Sequence, residues 1–184
     1  MGLSLAVVDS GRIVLERGFG LRDRSSGQPV ETSTLFLAGS VSKAVAAAGF
    51  LRLAEQQVVA LDRSVNEQLG AWQLPDSAAG GSAPVTPRML LSHMGGVSTH
   101  GFPGYLVGNP LPVLAQVLYG TPPANSPPVR RVQPPYSEWR YSGGGYTLLQ
   151  LLMQETGKQP FAELARRLVL EPTGMSASTF VQPL

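Results

Sequence analysis

The chain has 184 residues, 43% of them apolar, with 14 basic against 12 acidic side chains and a net charge of +2. That length suits one domain or two small ones with a real core, and the balance excludes a disordered chain. Scattered arginines with no basic run beyond two residues exclude an expected nucleic-acid partner. The absence of cysteine excludes disulfides, thiolate metal sites and thiol nucleophiles together.

In chain order, Met1 to Val8 is apolar with no basic n-region, so it reads as a strand and not as a signal peptide. Leu3 to Val8, the turn Asp9-Ser10-Gly11, and Arg12 to Phe19 predict a β-hairpin, in which Ile13, Leu15 and Phe19 alternate with Arg12, Glu16 and Gly18. A polar loop follows from Arg22 to Gly27. From about Val41 to Gln57, Ala46, Gly49, Phe50, Leu53 and Ala54 recur at helical spacing. The small residues predict a central helix packed on every side. Thr86-Pro87 is a cap and first-position pair opening a short helix to about Ser92, and Pro112 to Leu118 predicts another. Thr121 to Pro135, with six prolines, reads as an extended surface loop. Tyr146 to Thr156 predicts an apolar helix closed by Gly157. Pro160 opens the last one, with Phe161, Leu164, Ala165 and Leu168 on one face. No apolar run approaches the roughly 20 residues of a membrane span.

The fold class is therefore α+β. Residues 1–36 form the first part of a sheet domain, and 37–184 hold a mostly helical domain. After residue 40 nothing reads as a strand, and a lone hairpin is marginal in water, so it needs further strands or must pack wholly on helices.

The sharpest chemical pattern is Gly39-Ser40-Val41-Ser42-Lys43. A spacing of three puts Ser40 and Lys43 one turn apart on one face. A helix N-terminus offers unpaired N–H groups to an oxyanion, and the lysine can hold or accept the hydroxyl proton. Gly39 leaves room for a substrate carbonyl. A bare S-x-x-K is more often an N-cap serine with a solvated lysine; the apolar helix headed by Lys43 argues for a role. Tyr141-Ser142-Gly143-Gly144-Gly145-Tyr146 is a glycine-rich turn entering a helix, and a tyrosine beside a lysine can shuttle protons. His93 and His100 are too few for a zinc site, and His93 reads as a hydrogen-bonder in its loop. Trp72, Trp139 and Tyr105 read as core or rim, and Arg130-Arg131 and Arg166-Arg167 as solvated faces.

Taken together, five segments resemble the serine β-lactamase-related family, which includes class C β-lactamases, esterases and D-Ala-D-Ala or D-amino-acid peptidases. They are Ala6 to Gly20, Phe36 to Lys43, Leu90-Leu91-Ser92-His93-Met94-Gly95-Gly96-Val97, Arg140 to Tyr146, and Pro172-Thr173-Gly174-Met175 through Phe180. The resemblance implies a β-lactamase/transpeptidase-like fold and an acyl-enzyme mechanism without a cofactor. Ser40 would be the nucleophile, Lys43 and Tyr141 would share the proton, and Gly39 and Gly143 would line the substrate, an ester, D-peptide or β-lactam. Two departures stand out. Gly143 occupies the position of the amide in the family's Y-x-N motif, which favours esters or D-peptides over β-lactams. The third motif, K-S/T-G or H-x-G on a strand, is missing; His93-Met94-Gly95 fits it only as letters. The chain therefore reads as incomplete at its C-terminus, Val181-Gln182-Pro183-Leu184, with activity impaired. The alternatives are a catalytically silent remnant or ligand-binding module, or a partner chain supplying the missing strands. Relatives are often exported; this sequence leaves the compartment open.

Overall fold

A computed structural model describes residues 1–182; the expected chain end at Pro183 and Leu184 lies outside the described residues. The residues group into two units, Met1–Gly39 with Met175–Ser178, and Ser40–Gly174 with the residues from Thr179.

In the first unit, β1 (Gly2–Asp9) and β2 (Arg12–Gly20) form the expected antiparallel hairpin. Ser10 and Gly11 take φ of 49° and 75°, the paired left-handed turn whose twist matches that of the strands. The register runs Asp9↔Arg12 and Val8↔Ile13, then jumps to Val7↔Leu15. Val14 is thus the extra residue of a bulge, which breaks the simple alternation read from the sequence. The large apolar side chains of both strands are exposed, among them Leu3, Val8, Ile13 and Val14. No third strand joins this sheet among the described residues.

The second unit holds α1 (Ser42–Glu55), α2 (Val65–Gln68), α3 (Pro87–Leu91), α4 (Leu114–Tyr119), α5 (Gly143–Gly157) and α6 (Phe161–Ala165), the last running into a π-helical turn, Arg166–Leu170. The central helix is α5 and not α1. Leu148, Leu149, Leu152 and Met153 of α5 are buried, and α1, α2, α3, α4 and α6 all pack on it. Phe50 and Leu53 of α1, Leu90 of α3, Leu118 of α4 and Leu164 of α6 complete this core. Each such side chain contributes about 1.5–3 kcal/mol of transfer free energy. α1 buries only its C-terminal half: Ala44, Ala48 and Leu51 are not buried.

Two element boundaries and the burial of two residues correct the sequence reading. The glycines at 143–145 are the first turn of α5, not a turn before it. At the other end, Gly157 is still helical and Lys158 takes the left-handed position, with φ 53°. The proline-rich stretch is not wholly superficial: Val129 is buried, and Arg131 pairs with Val97 in a short bridge. Arg131, expected on a solvated face, is buried, and its guanidinium donates to the Gly81 carbonyl at 2.7 Å with Asp76 at 3.4 Å.

Thr86 caps α3 as read, its hydroxyl accepting from Met89 N–H at 3.4 Å with Pro87 at the first position. Thr86→Val keeps the volume and removes that acceptor. It is expected to cost about 1 kcal/mol in urea unfolding.

Candidate active site

Ser40 sits in a 3₁₀ turn, Gly39–Val41, that leads directly into α1. Gly39 has φ 53°, a conformation that costs glycine nothing. The Ser40 side chain is exposed, and Lys43, one turn on, donates from Nζ to Ser40 Oγ at 3.1 Å. The same amine lies 4.8 Å from the centroid of the Tyr141 ring and 5.6 Å from that of Tyr146, both within cation–π range. Lys43 therefore turns toward two aromatic rings and a hydroxyl, and not into bulk solvent.

The phenol of Tyr141 is held below the ordinary tyrosine value, by hydrogen bonding to the Lys43 amine first and to the Ser40 hydroxyl second. Within the trio, the hydrogen bond that meets both distance and angle is Lys43 Nζ to Ser40 Oγ, and Tyr141 joins it through the approach of its ring to the same amine. Tyr146 is shifted the other way, raised by burial and then by the negative charge that Tyr141 would carry. Its hydroxyl donates to the Leu91 carbonyl at 3.2 Å, so its proton is committed. Two tyrosines near one lysine are thus pushed apart, and the one that gives up its proton more readily is Tyr141.

The local sequence explains why Tyr141 arrives there. Ser142 is the buried N-cap of α5: its Oγ accepts from Gly145 N–H at 2.8 Å and donates to the Ser98 carbonyl at 2.8 Å. The amides of Gly143 and Gly144 donate to the carbonyls of His100 and Thr99, at 3.1 and 3.0 Å. The start of α5 is in this way stitched to the 98–100 segment. Gly143 is buried with its N–H already engaged, so it offers a substrate neither a side chain nor a free donor. Gly143 is also closely packed: a Cβ there would lie 3.1 Å from the His100 carbonyl oxygen and 3.2 Å from the Phe102 ring.

Around Tyr141 stand aromatic groups to which the sequence reading gave only minor roles. Ring centroids of His93, His100 and Trp139 lie at 4.4, 4.9 and 6.3 Å. His93 is a loop hydrogen-bonder as read, its Nδ1 accepting from Ser142 N–H at 3.1 Å. The signal that pointed to it was the Leu90-to-Val97 segment. Trp72 is buried in the core, and Tyr105 accepts from Asn125 N–H at 3.2 Å.

The Beta-lactamase family profile matches residues 1–184. The chain is 36% identical over 97 residues to esterase EstB of Burkholderia gladioli, covering 53% of this chain and 24% of that protein. It is 26% identical to the putative penicillin-binding protein PbpX of Bacillus subtilis, covering 95% of this chain and 40% of that one. Among solved structures, the octameric penicillin-binding protein homologue from Pyrococcus abyssi superposes with a TM-score of 0.72 at 26% identity, covering 95% of this chain and 39% of that one. The chain thus spans between a quarter and two fifths of the length of these relatives. The described α+β arrangement is part of a β-lactamase/transpeptidase-like fold. With one profile matched along its whole length, the chain belongs to the Beta-lactamase family.

Proposed function

We propose that this chain carries the acyl-transfer site of a serine hydrolase, with Ser40 as nucleophile and Lys43 and Tyr141 as its proton relay. The observation that carries the reading is the Lys43–Ser40 hydrogen bond at 3.1 Å beside a tyrosine whose phenol is held below its ordinary pKa. Ser40 Oγ attacks the carbonyl of an ester, D-peptide or β-lactam, and its proton passes to Tyr141 with Lys43 stabilising the phenolate. The Ser40 N–H supplies one oxyanion donor. The proton then goes to the departing alcohol or amine, and water releases the acyl group. Esters and D-peptides are favoured over β-lactams because position 143 brings no amide side chain. Acylation of Ser40 is the step these residues carry, and it is the step to measure.

The test is covalent labelling with a fluorophosphonate and with a penicillin probe, mapped by mass. The expected result is one adduct on Ser40, absent from Ser40→Ala. Raising the pH frees the phenolate, so the labelling rate rises with pH, and the lowered phenol places the midpoint below the ordinary tyrosine value of about 10. A folded chain that neither probe labels, and that cleaves neither a p-nitrophenyl ester nor nitrocefin, overturns the reading in favour of a pocket without turnover.

A further inference from the structure

Ser40 and Lys43 are placed by one helix start, but Tyr141 precedes α5 and comes after a stretch, 134–140, that is loop and turn. Arg140 and Trp139 in that stretch are exposed. Besides the ties of Ser142, Gly143 and Gly144 to residues 98–100, a residue about half a hundred positions earlier in the sequence, His93, bonds next to Tyr141.

We propose that His93 is the positioning residue for Tyr141, gripping the chain on both sides of it as a neutral imidazole with its proton on Nε2. The N–H of Arg140 donates to the His93 carbonyl at 2.9 Å, and the N–H of Ser142 donates to His93 Nδ1 at 3.1 Å. The residues immediately before and after Tyr141 are therefore tied to the same partner. Between these ties the imidazole packs against the phenol ring itself, centroids 4.4 Å apart and planes tilted by 36°. His93 has φ 61°, a strained conformation for a residue with a Cβ, and such strain is retained where the surroundings over-determine it. Here it lets carbonyl and imidazole serve the two ends of one tripeptide.

The clamp needs a lone pair on Nδ1, which an imidazolium lacks. Facing the ring are Tyr146 of α5 at 5.3 Å and Trp139 at 5.8 Å, with His100 across the Tyr141 ring and the Lys43 amine of α1 on that same ring. Burial first, and then the Lys43 charge, push the His93 pKa down. The folded chain consequently refuses a proton that the unfolded chain accepts below the ordinary histidine value. Acidification through and below that range therefore lowers stability, and once His93 is protonated the Ser142 amide loses its acceptor. Regarding Tyr141 as part of a proton relay rests on the function proposed above; the grip on residues 140 and 142 does not.

The test uses the full chain labelled with ¹⁵N-histidine and ¹³Cζ-tyrosine, the two histidines being assigned with His100→Gln and the Tyr141 signal with Tyr141→Phe. Near neutral pH, His93 is expected to show a bare Nδ1 and a protonated Nε2; a proton on Nδ1 overturns the proposal. His93→Phe keeps a ring and removes the acceptor. It is expected to move the Tyr141 titration up toward the ordinary tyrosine value and to slow Ser40 labelling by about 10- to 100-fold. His93→Asn restores an acceptor near Nδ1 and suits a left-handed backbone, and should recover most of both. A folded His93→Phe with unchanged Tyr141 titration overturns the proposal. If that variant does not fold, His93→Asn decides: a Tyr141 midpoint like that of the parent supports the clamp, and an ordinary one overturns it. A parent chain in which Ser40 never labels but Tyr141 still responds to His93 leaves the clamp standing and removes the acyl-transfer reading alone.

Discussion

Lys43→Met is expected to slow probe acylation of Ser40 by about 10²- to 10⁴-fold, the range associated with loss of a positioned proton-transfer group. Methionine keeps the length and flexibility of the side chain but neither donates to Ser40 Oγ nor carries charge. Two effects add. The hydroxyl loses its 3.1 Å partner. The Tyr141 phenol also loses the lysine, the main cause of its lowered pKa, so a smaller fraction is phenolate at any pH near neutrality. The second effect is separable, because ¹³Cζ titration of Tyr141 reads it directly. Lys43→Arg keeps the cation but exchanges a compact ammonium for a planar fork, so it should retain part of the tyrosine shift and, because Lys43 serves as the counter-charge of the phenolate, recover part of the rate. Lys43 is only half-buried and lies outside the core, and such substitutions usually change stability by no more than about 0.5 kcal/mol. A slow Lys43→Met would thus be a chemical loss in a folded chain. Labelling rates within a few-fold of the parent would remove Lys43 from the relay.

The elements that were legible in the sequence are those whose cause is local. Ser10-Gly11 sets its own left-handed turn, and the hairpin is its consequence. Thr86-Pro87 carries a cap acceptor and a pre-set φ, and α3 begins there. The pairing of Ser40 with Lys43 needs only helical spacing, and the structure places the two in hydrogen-bond contact. The features that the sequence concealed depend on tertiary contact. Glycine is a poor helix former, so 143–145 read as a turn; the Ser142 cap and the carbonyls of Thr99 and His100 recruit them into α5 instead. Alanine is neutral about which side it buries, so the alanine-rich α1 looked central when the leucines of α5 hold that place. Arg131 beside Arg130 looked solvated, and only the Gly81 carbonyl and Asp76 explain its burial. His93 could be named as a hydrogen-bonder, but that it holds both neighbours of Tyr141 is a fact of space.

Gly144→Ala sets two of these effects against each other. In an exposed helix the change stabilises by about 0.8–1 kcal/mol, because alanine loses less backbone freedom. At 144 the added Cβ would lie 2.6 Å from the Ser98 carbonyl oxygen and 3.0 and 3.1 Å from the two Val129 methyls. The carbonyl cannot simply swing aside. It accepts the Ser142 hydroxyl at 2.8 Å, and Gly144 N–H is bonded to the adjacent Thr99 carbonyl at 3.0 Å. Overpacking of this kind costs about 1–3 kcal/mol, and a broken Ser142–Ser98 bond adds about 1 kcal/mol. The clash outweighs the propensity gain, and a net loss of about 1–3 kcal/mol is expected in urea unfolding. Tyr141 leads directly into the start of α5, so Ser40 labelling should also slow in the surviving folded fraction. Gly145→Ala, one residue on, is the control: its Cβ meets nothing nearer than Ser142 Oγ at 3.3 Å and a Leu90 methyl at 3.5 Å. There the propensity gain should offset most of the crowding, leaving stability within about 0.5 kcal/mol of the parent. Equal unfolding midpoints for the two variants would mean that the close approach at Ser98 does not constrain the start of α5, and the account of how the glycines bring Tyr141 to Ser40 and Lys43 would fail with it.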